Sequence, residues 1–111
     1  MTLGAAGGPK IITQVLLTIV RSLDFGYDLE QAISQPRFHH QWRPDHVWAD
    51  RKMDTAKLDA LKGYGHKLKF TSFTGITQAV AIDKDGDLIG VHDPRAYGKT
   101  GYGTRKNVPA K

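Results

Sequence analysis

Residues 3–16 read LGAAGGPKIITQVL, and the adjacent glycines inside this stretch, Gly7 and Gly8, set the reading of everything around them. A loop that only reverses direction rarely needs glycine twice in a row. A loop whose backbone approaches a ligand, or points N–H groups at one, often does. Pro9 follows, where a helix tolerates proline because the first-turn N–H has no partner in any case. From there Ile11, Ile12, Val15, Leu16, Ile19, Val20 and Leu23 recur at helical spacing, which predicts a helix over residues 10–24 closing at Phe25 and Gly26. Its wide apolar stripe is expected to face the core, with Thr13, Gln14, Thr18, Arg21 and Ser22 on the wetter side. Residues 1–8, ahead of it, read as a loop.

The 111 residues fit a single domain, with 40% hydrophobic and 24% charged residues, an ordinary globular composition. No apolar run approaches the ~20 residues of a membrane span, and MTLGAAGG has neither the basic nor the apolar region of a signal peptide. Without cysteine there is no disulfide, thiolate metal site or cysteine nucleophile. Sixteen Lys and Arg against 11 Asp and Glu give a formal charge of +5, and beyond Asp93 the chain carries Arg95, Lys99, Arg105, Lys106 and Lys111 with no acid. Residues 96–111 therefore read as a flexible, basic Gly- and Lys-rich tail behind a domain of residues 1–95. Without aromatic stacking motifs the tail does not read as a nucleic-acid surface.

Further along, Asp28 with Gln31 forms a capping-box pattern that starts a short helix, Leu29 to about Ser34, and Pro36 ends it. PRFHHQW (36–42) and RPDH (43–46) read as irregular, and VWAD (47–50) alternates like a strand. Asp54 caps a third helix over 55–63, with Leu58 and Leu61 expected inward and Gly63 and Gly65 at its end. HKLKF (66–70) reads as a short strand. ITQAVAID (76–83) and LIGVHD (88–93) flank KDGD (84–87) as an antiparallel hairpin. In the first hairpin strand both faces carry small or apolar residues, which predicts a sheet covered on both sides.

Several tempting motifs dissolve on inspection. GKT at 98–100 lacks the first glycine of a phosphate loop, Asp93 standing in its place, and KTG at 99–101 has no serine with a lysine three residues on. Five histidines, with Asp50 and Asp93 as oxygen donors, invite a metal site. Yet His39 and His40 are adjacent and diverge, and no histidine pair stands at i, i+4 or i, i+2, so the rings are expected to fill a loop instead. For nucleophilic catalysis Thr2 is the one unusual candidate, since removal of Met1 would leave an N-terminal threonine, but Thr-Leu-Gly-Ala resembles a strand running into a loop rather than an autoprocessing junction.

Taken in order, LGAAGGPKIITQVLLTIVRSLDFG, DLEQAISQPRFHHQW, a capped helix ending GYGHKL, and AVAIDKDGDLIGVHDPRAYG resemble the C-terminal end of the small subunit of gamma-glutamyltranspeptidases, over residues 3–103. The sharpest pieces are GG-x-x-I-I-T at 7–13, P-R-F-H-H-Q-W at 36–42 and D-P-R at 93–95.

The resemblance implies an α+β chain, part of a four-layer αββα N-terminal-nucleophile hydrolase fold, here about three helices, an antiparallel hairpin and short strands. It implies an enzyme that hydrolyses or transfers the gamma-glutamyl group of glutathione and related amides through a threonine exposed by self-cleavage, without cofactor or metal. Carried over to this chain, the oxyanion-hole N–H groups fall on Gly7 and Gly8. The family's nucleophile, its substrate-binding residues and its large subunit have no counterpart within these residues, so the isolated chain is expected to be inactive. Its expected partners are the rest of the small subunit, the large subunit and, through unpaired strand edges, itself. Such enzymes are often exported. Where relatives often carry serine after the glycine pair, this chain has Pro9. The alternative is a stand-alone basic module that binds an anionic ligand or protein partner without catalysis.

Overall fold

A computed structural model describes residues 1–104. Ten elements follow in chain order: β1 (Thr2–Ala6), α1 (Lys10–Leu23), α2 (Leu29–Ser34), β2 (Phe38–His39), β3 (Val47–Asp50), α3 (Thr55–Gly63), β4 (Leu68–Thr71), β5 (Ile76–Ile82), β6 (Leu88–His92) and β7 (Gly101–Gly103). They build a four-stranded sheet, β1-β5-β6-β7, and a three-stranded sheet, β2-β3-β4. All pairings in the larger sheet are antiparallel. In the smaller one β3 and β4 run parallel, joined through α3.

Local signals account for most of these elements. Asp28 accepts the Gln31 N–H at 2.8 Å and so caps α2, while Asp54 caps α3 through the Ala56 N–H at 2.9 Å. The hairpin between β5 and β6 turns on Asp83, whose Oδ1 accepts the N–H groups of Asp85 and Asp87, each at 2.9 Å. The interior is formed by Leu29 and Ile33 of α2 against Ala79 and Val91, with Leu3, Ala81 and Ile89 packed around them. Among the described residues no helix is long and apolar enough to cross a membrane.

Several expectations change. Residues 2–6 are a strand rather than a loop, paired with β5 from Thr2↔Val80 to Ala6↔Ile76. TLGAA has little strand propensity of its own, and the free edge of the longer β5 imposes the extended form. The tail is not wholly outside the fold, because Gly101–Gly103 pairs with Leu88–Gly90 as the far edge strand. Arg105, Lys106 and Lys111 lie outside the described residues. The large sheet is covered on one side only: Thr77 and Ala79 are buried beneath the helices, while Gln78, Val80 and Ile82 on the opposite face are exposed. Finally, α3 buries none of its residues, and Leu61 lines an open groove of about 530 Å³ shared with Leu17, Val20, Phe25, Met53 and Tyr64.

Helix α1 forms where its periodicity places it, but it faces the other way. Its fully buried residues are Gln14 and Thr18, each 1% exposed, whereas Ile12, Leu16 and Leu23 are 76%, 56% and 70% exposed. A buried amide and hydroxyl are stable only when hydrogen-bonded: Thr18 Oγ1 donates to Gln14 O at 2.9 Å within the helix, and the partners of the Gln14 side chain lie in the site described next.

Candidate active-site loop and its buried support

Chain direction reverses between β1 and α1 through Gly7, Gly8 and Pro9. Gly7 has φ 141° and Gly8 φ 61°, in the region that L side chains rarely adopt, so both positions require glycine conformationally. Pro9 is the N-cap at φ −57° with no side-chain cap of its own. The first turn closes through Lys10 N–H to Gly7 O at 3.2 Å and Ile11 N–H to Gly8 O at 3.0 Å. Among the described residues neither the Gly7 nor the Gly8 N–H has a hydrogen-bond partner. Two open donors thus stand at the N-terminus of a 14-residue helix, where the aligned peptide dipoles favour negative charge.

Gln14 sits beneath this loop, one turn into α1. Its Nε2 donates to Ala6 O at 3.0 Å, and its Oε1 accepts from Thr77 Oγ1 at 2.8 Å and from Arg37 at 3.3 Å. Ala6 O can only accept and Arg37 can only donate, so the amide has one orientation that satisfies its surroundings. It lies in a slot of bare backbone. A Cβ on Gly75 would fall 1.8 Å from Gln14 Nε2, and one on Gly7 would fall 3.1 Å from it. Beside the loop, the Lys10 ammonium donates to Phe73 O at 2.7 Å and lies over the Trp48 and Phe73 rings.

Below Gln14 a buried ion pair joins two of the sequence motifs. Arg37, from PRFHHQW, meets Asp93, from DPR, at 2.6 Å, and both are essentially without solvent contact. Arg37 also donates to Gly75 O and Ile33 O. Asp93 additionally accepts from the Thr77 N–H at 2.8 Å, the Arg95 N–H at 3.0 Å and the Arg95 guanidinium at 3.2 Å. Burial alone would raise the Asp93 pKa, but the Arg95 and Thr77 N–H groups and the Arg37 guanidinium outweigh it and hold the carboxyl below the usual carboxylate range. Burial lowers the pKa of Arg37, and its contact with Asp93 opposes that shift.

Arg95 also reaches Asp50 at 3.2 Å. Together with Arg21 and Arg37 it fills the C-terminal end of α2: the carbonyls of Ala32, Ile33, Ser34, Gln35 and Pro36 accept from these three guanidinium groups. Cations on the orphan carbonyls of a helix end match both the hydrogen-bonding need and the dipole there.

The structure also places the remaining candidates. Thr2 stands at the far end of β1 from Gly7, five residues along a strand, roughly 17 Å at the usual rise. Thr2 and the glycine pair therefore do not form one site. Asp50 and Asp93 are tied together by Arg95, and among the described residues no three His, Asp or Glu side chains form a metal-binding group. His39 Nδ1 lies 2.6 Å from Thr13 Oγ1 and its Nε2 lies 2.9 Å from Gln41 Oε1, an amide whose Nε2 donates to Arg43 O. His40 Nδ1 accepts the Trp42 N–H, and its Nε2 faces Asp45. Both rings brace the 38–46 loop. Sequence reasoning missed Gln14, Gly75 and Thr77, and it missed the meeting of Arg37 with Asp93. One signal was present: Gln14 and Thr18 stand four apart on the helix, a polar stripe directly after the glycine pair.

The two-sheet, three-helix arrangement is shared with solved N-terminal-nucleophile hydrolases. The cephalosporin acylase of Bacillus halodurans superposes with a TM-score of 0.80 over 89% of this chain and 19% of its own, at 23% identity, a likeness of fold alone. The gamma-glutamyltranspeptidase of Pseudomonas nitroreducens superposes with a TM-score of 0.77 over 86% of this chain and 51% of its own, at 31% identity. The family model for gamma-glutamyltranspeptidase matches residues 1–102, and the chain belongs to that family. The glutathione hydrolase proenzyme of Escherichia coli is 39% identical over 93 residues, which are 84% of this chain and 16% of that protein. The chain thus spans about a sixth of that relative's length.

Proposed function

We propose that this chain supplies the oxyanion loop of an enzyme that hydrolyses or transfers the gamma-glutamyl group of glutathione and related amides, with the N–H groups of Gly7 and Gly8 as the donors. The observation that carries this reading is the pair of open N–H groups on left-handed glycines at the start of α1. When a threonine oxygen attacks the gamma-glutamyl carbonyl, the carbonyl electron pair moves onto oxygen. Two preorganised donors stabilise that charge more than they stabilise the neutral carbonyl, which lowers the barrier. Collapse of the intermediate expels the amine, and water or an acceptor amine then takes the acyl group.

The threonine and the residues that hold the substrate's amino and carboxylate groups belong to the remainder of the enzyme. That remainder also gives the exposed stripe of α1 and the open face of the large sheet something to pack against. No step calls for a cofactor or metal.

The test uses a chromogenic gamma-glutamyl anilide. The isolated chain should release no amine. Fused in place of the 93 matching residues of the Escherichia coli relative, it should support turnover. In that chimera Gly8→Ala forces a Cβ into a left-handed conformation costing roughly 1–2 kcal/mol, with open space around it, and should lower kcat about 10-fold at similar KM. Turnover by the isolated chain that depends on Thr2, or a Gly8→Ala chimera with unchanged kcat, would overturn the reading.

A further inference from the structure

We infer that Gln14 is a positioning residue that fixes the direction of the Gly7 N–H. This inference rests on the oxyanion reading above and adds a residue to it. The Ala6 carbonyl and the Gly7 N–H belong to the same peptide group, which is planar and trans, so the two bonds point in opposite directions. Whatever holds Ala6 O therefore aims the Gly7 N–H. Gln14 Nε2 is the side-chain donor on that oxygen, at 3.0 Å. The next peptide is held differently: Gly7 O accepts from the Lys10 N–H in the first turn of α1, which aims the Gly8 N–H. One donor is thus set by the helix backbone and the other by a side chain that adds to the strand pairing of Ala6 with Ile76.

A side chain can hold a peptide in place only if it is itself immobile. Gln14 is 1% exposed, and both its Oε1 contacts come from distant parts of the chain, Thr77 on β5 and Arg37 before β2. Arg37 is in turn locked by Asp93 and by the carbonyls of Ile33 and Gly75. Glycine at 75 is part of the device, because a Cβ there would occupy the position of the Gln14 amide. With φ of 141° at Gly7 and 61° at Gly8, both glycines tolerate peptide rotations that other residues resist, so the 6–7 peptide, which leaves the sheet at the terminal Ala6↔Ile76 pair, is steadied by a second hold from the loop side.

The test is made in the active chimera. Gln14→Glu keeps the shape of the side chain and its acceptor toward Arg37 and Thr77, but it sets an oxygen against Ala6 O. It should lower kcat on the order of 10- to 100-fold, the range for a small misplacement of a catalytic group, with KM within about 3-fold and the thermal midpoint near that of the parent. Gly75→Ala, which leaves Gln14 in the sequence but displaces its amide, should give a similar loss. The double variant should be little worse than either single variant, because both act on one contact.

An unchanged kcat in either folded variant would overturn the inference. So would fully additive losses, or a kcat that falls only in proportion to the folded fraction. If one variant fails to fold, the other carries the test, and Thr77→Val, which removes a single donor to Oε1, should give a loss of a few-fold. Gly8→Ala separates the two ideas: normal kcat there removes the oxyanion reading, while slow Gly8→Ala beside normal Gln14→Glu removes only the role of Gln14.

Discussion

The two faces of α1 invert the usual order. The inner face carries Gln14 and Thr18, buried and fully engaged, and the outer face carries Ile12, Leu16 and Leu23, open to solvent. The lesson is that amphipathicity fixes where a helix has two faces, not which one its own domain will bury. Here the inner face belongs to a polar scaffold beneath the glycine loop. The outer face is left open to solvent by the chain's own fold.

The strongest way to break this contrast is to attack the scaffold. Arg37→Met leaves Asp93 buried without its counter-charge and should destabilise the chain by ~3–5 kcal/mol, read from the urea midpoint. A loss under about 1 kcal/mol would mean the polar interior does not hold the fold.

Acid should reach the same contacts gradually. The folded pKa of Asp93 is depressed, so its contribution is fully present above the unfolded value of about 3.9 and is lost as pH falls through the lower folded value. His46 adds a step at higher pH. Burial first, then the charge of Lys69, lowers its pKa, and its ring stacks edge-on against Trp48 at 4.4 Å. A histidine kept neutral in the fold contributes stability above the unfolded value of about 6.5 and loses it as pH falls below. Unfolding midpoints should therefore decline in two stages, and His46→Phe should remove the first. A single transition unaffected by that substitution would contradict this assignment.

The smallest effect is expected on the outer face. Ile12→Ser with Leu16→Ser should shift stability by only about 0.5 kcal/mol per site while reducing self-association in sedimentation velocity. A loss of several kcal/mol would show that this face is packed in the chain's own fold.

Much of the architecture was legible in the sequence because it rests on local chemistry. The caps at Asp28 and Asp54, the KDGD turn at 84–87 and the helical period of residues 10–24 each depend on neighbours within a few positions. Strand β1 was legible only in part: Thr-Leu-Gly-Ala resembles a strand running into a loop, but TLGAA is fixed in extended form by pairing with β5. The facing of α1 was hidden for a related reason: periodicity gives an angle around a helix axis, while the partners of Gln14 lie 23 and 63 residues away. For the site, the glycine pair stood out as a loop needing unusual backbone. PRFHHQW and DPR stood out only through their likeness to a family. That Arg37 and Asp93, 56 residues apart, pair with each other is a property of the assembled fold.

The span of these contacts also bears on the order of folding. The support of the glycine loop draws on residues 14, 37, 75, 77 and 93, so no contiguous stretch of the chain can preassemble it. Closing such long loops costs entropy before any contact returns it, which delays structures built from them. Helix α1 and the β5–β6 hairpin can form early from local contacts, whereas the aim of the Gly7 N–H waits for the docking of segments from both ends of the chain. A partly folded chain would carry the helix without the buried contacts that hold the glycine loop in place.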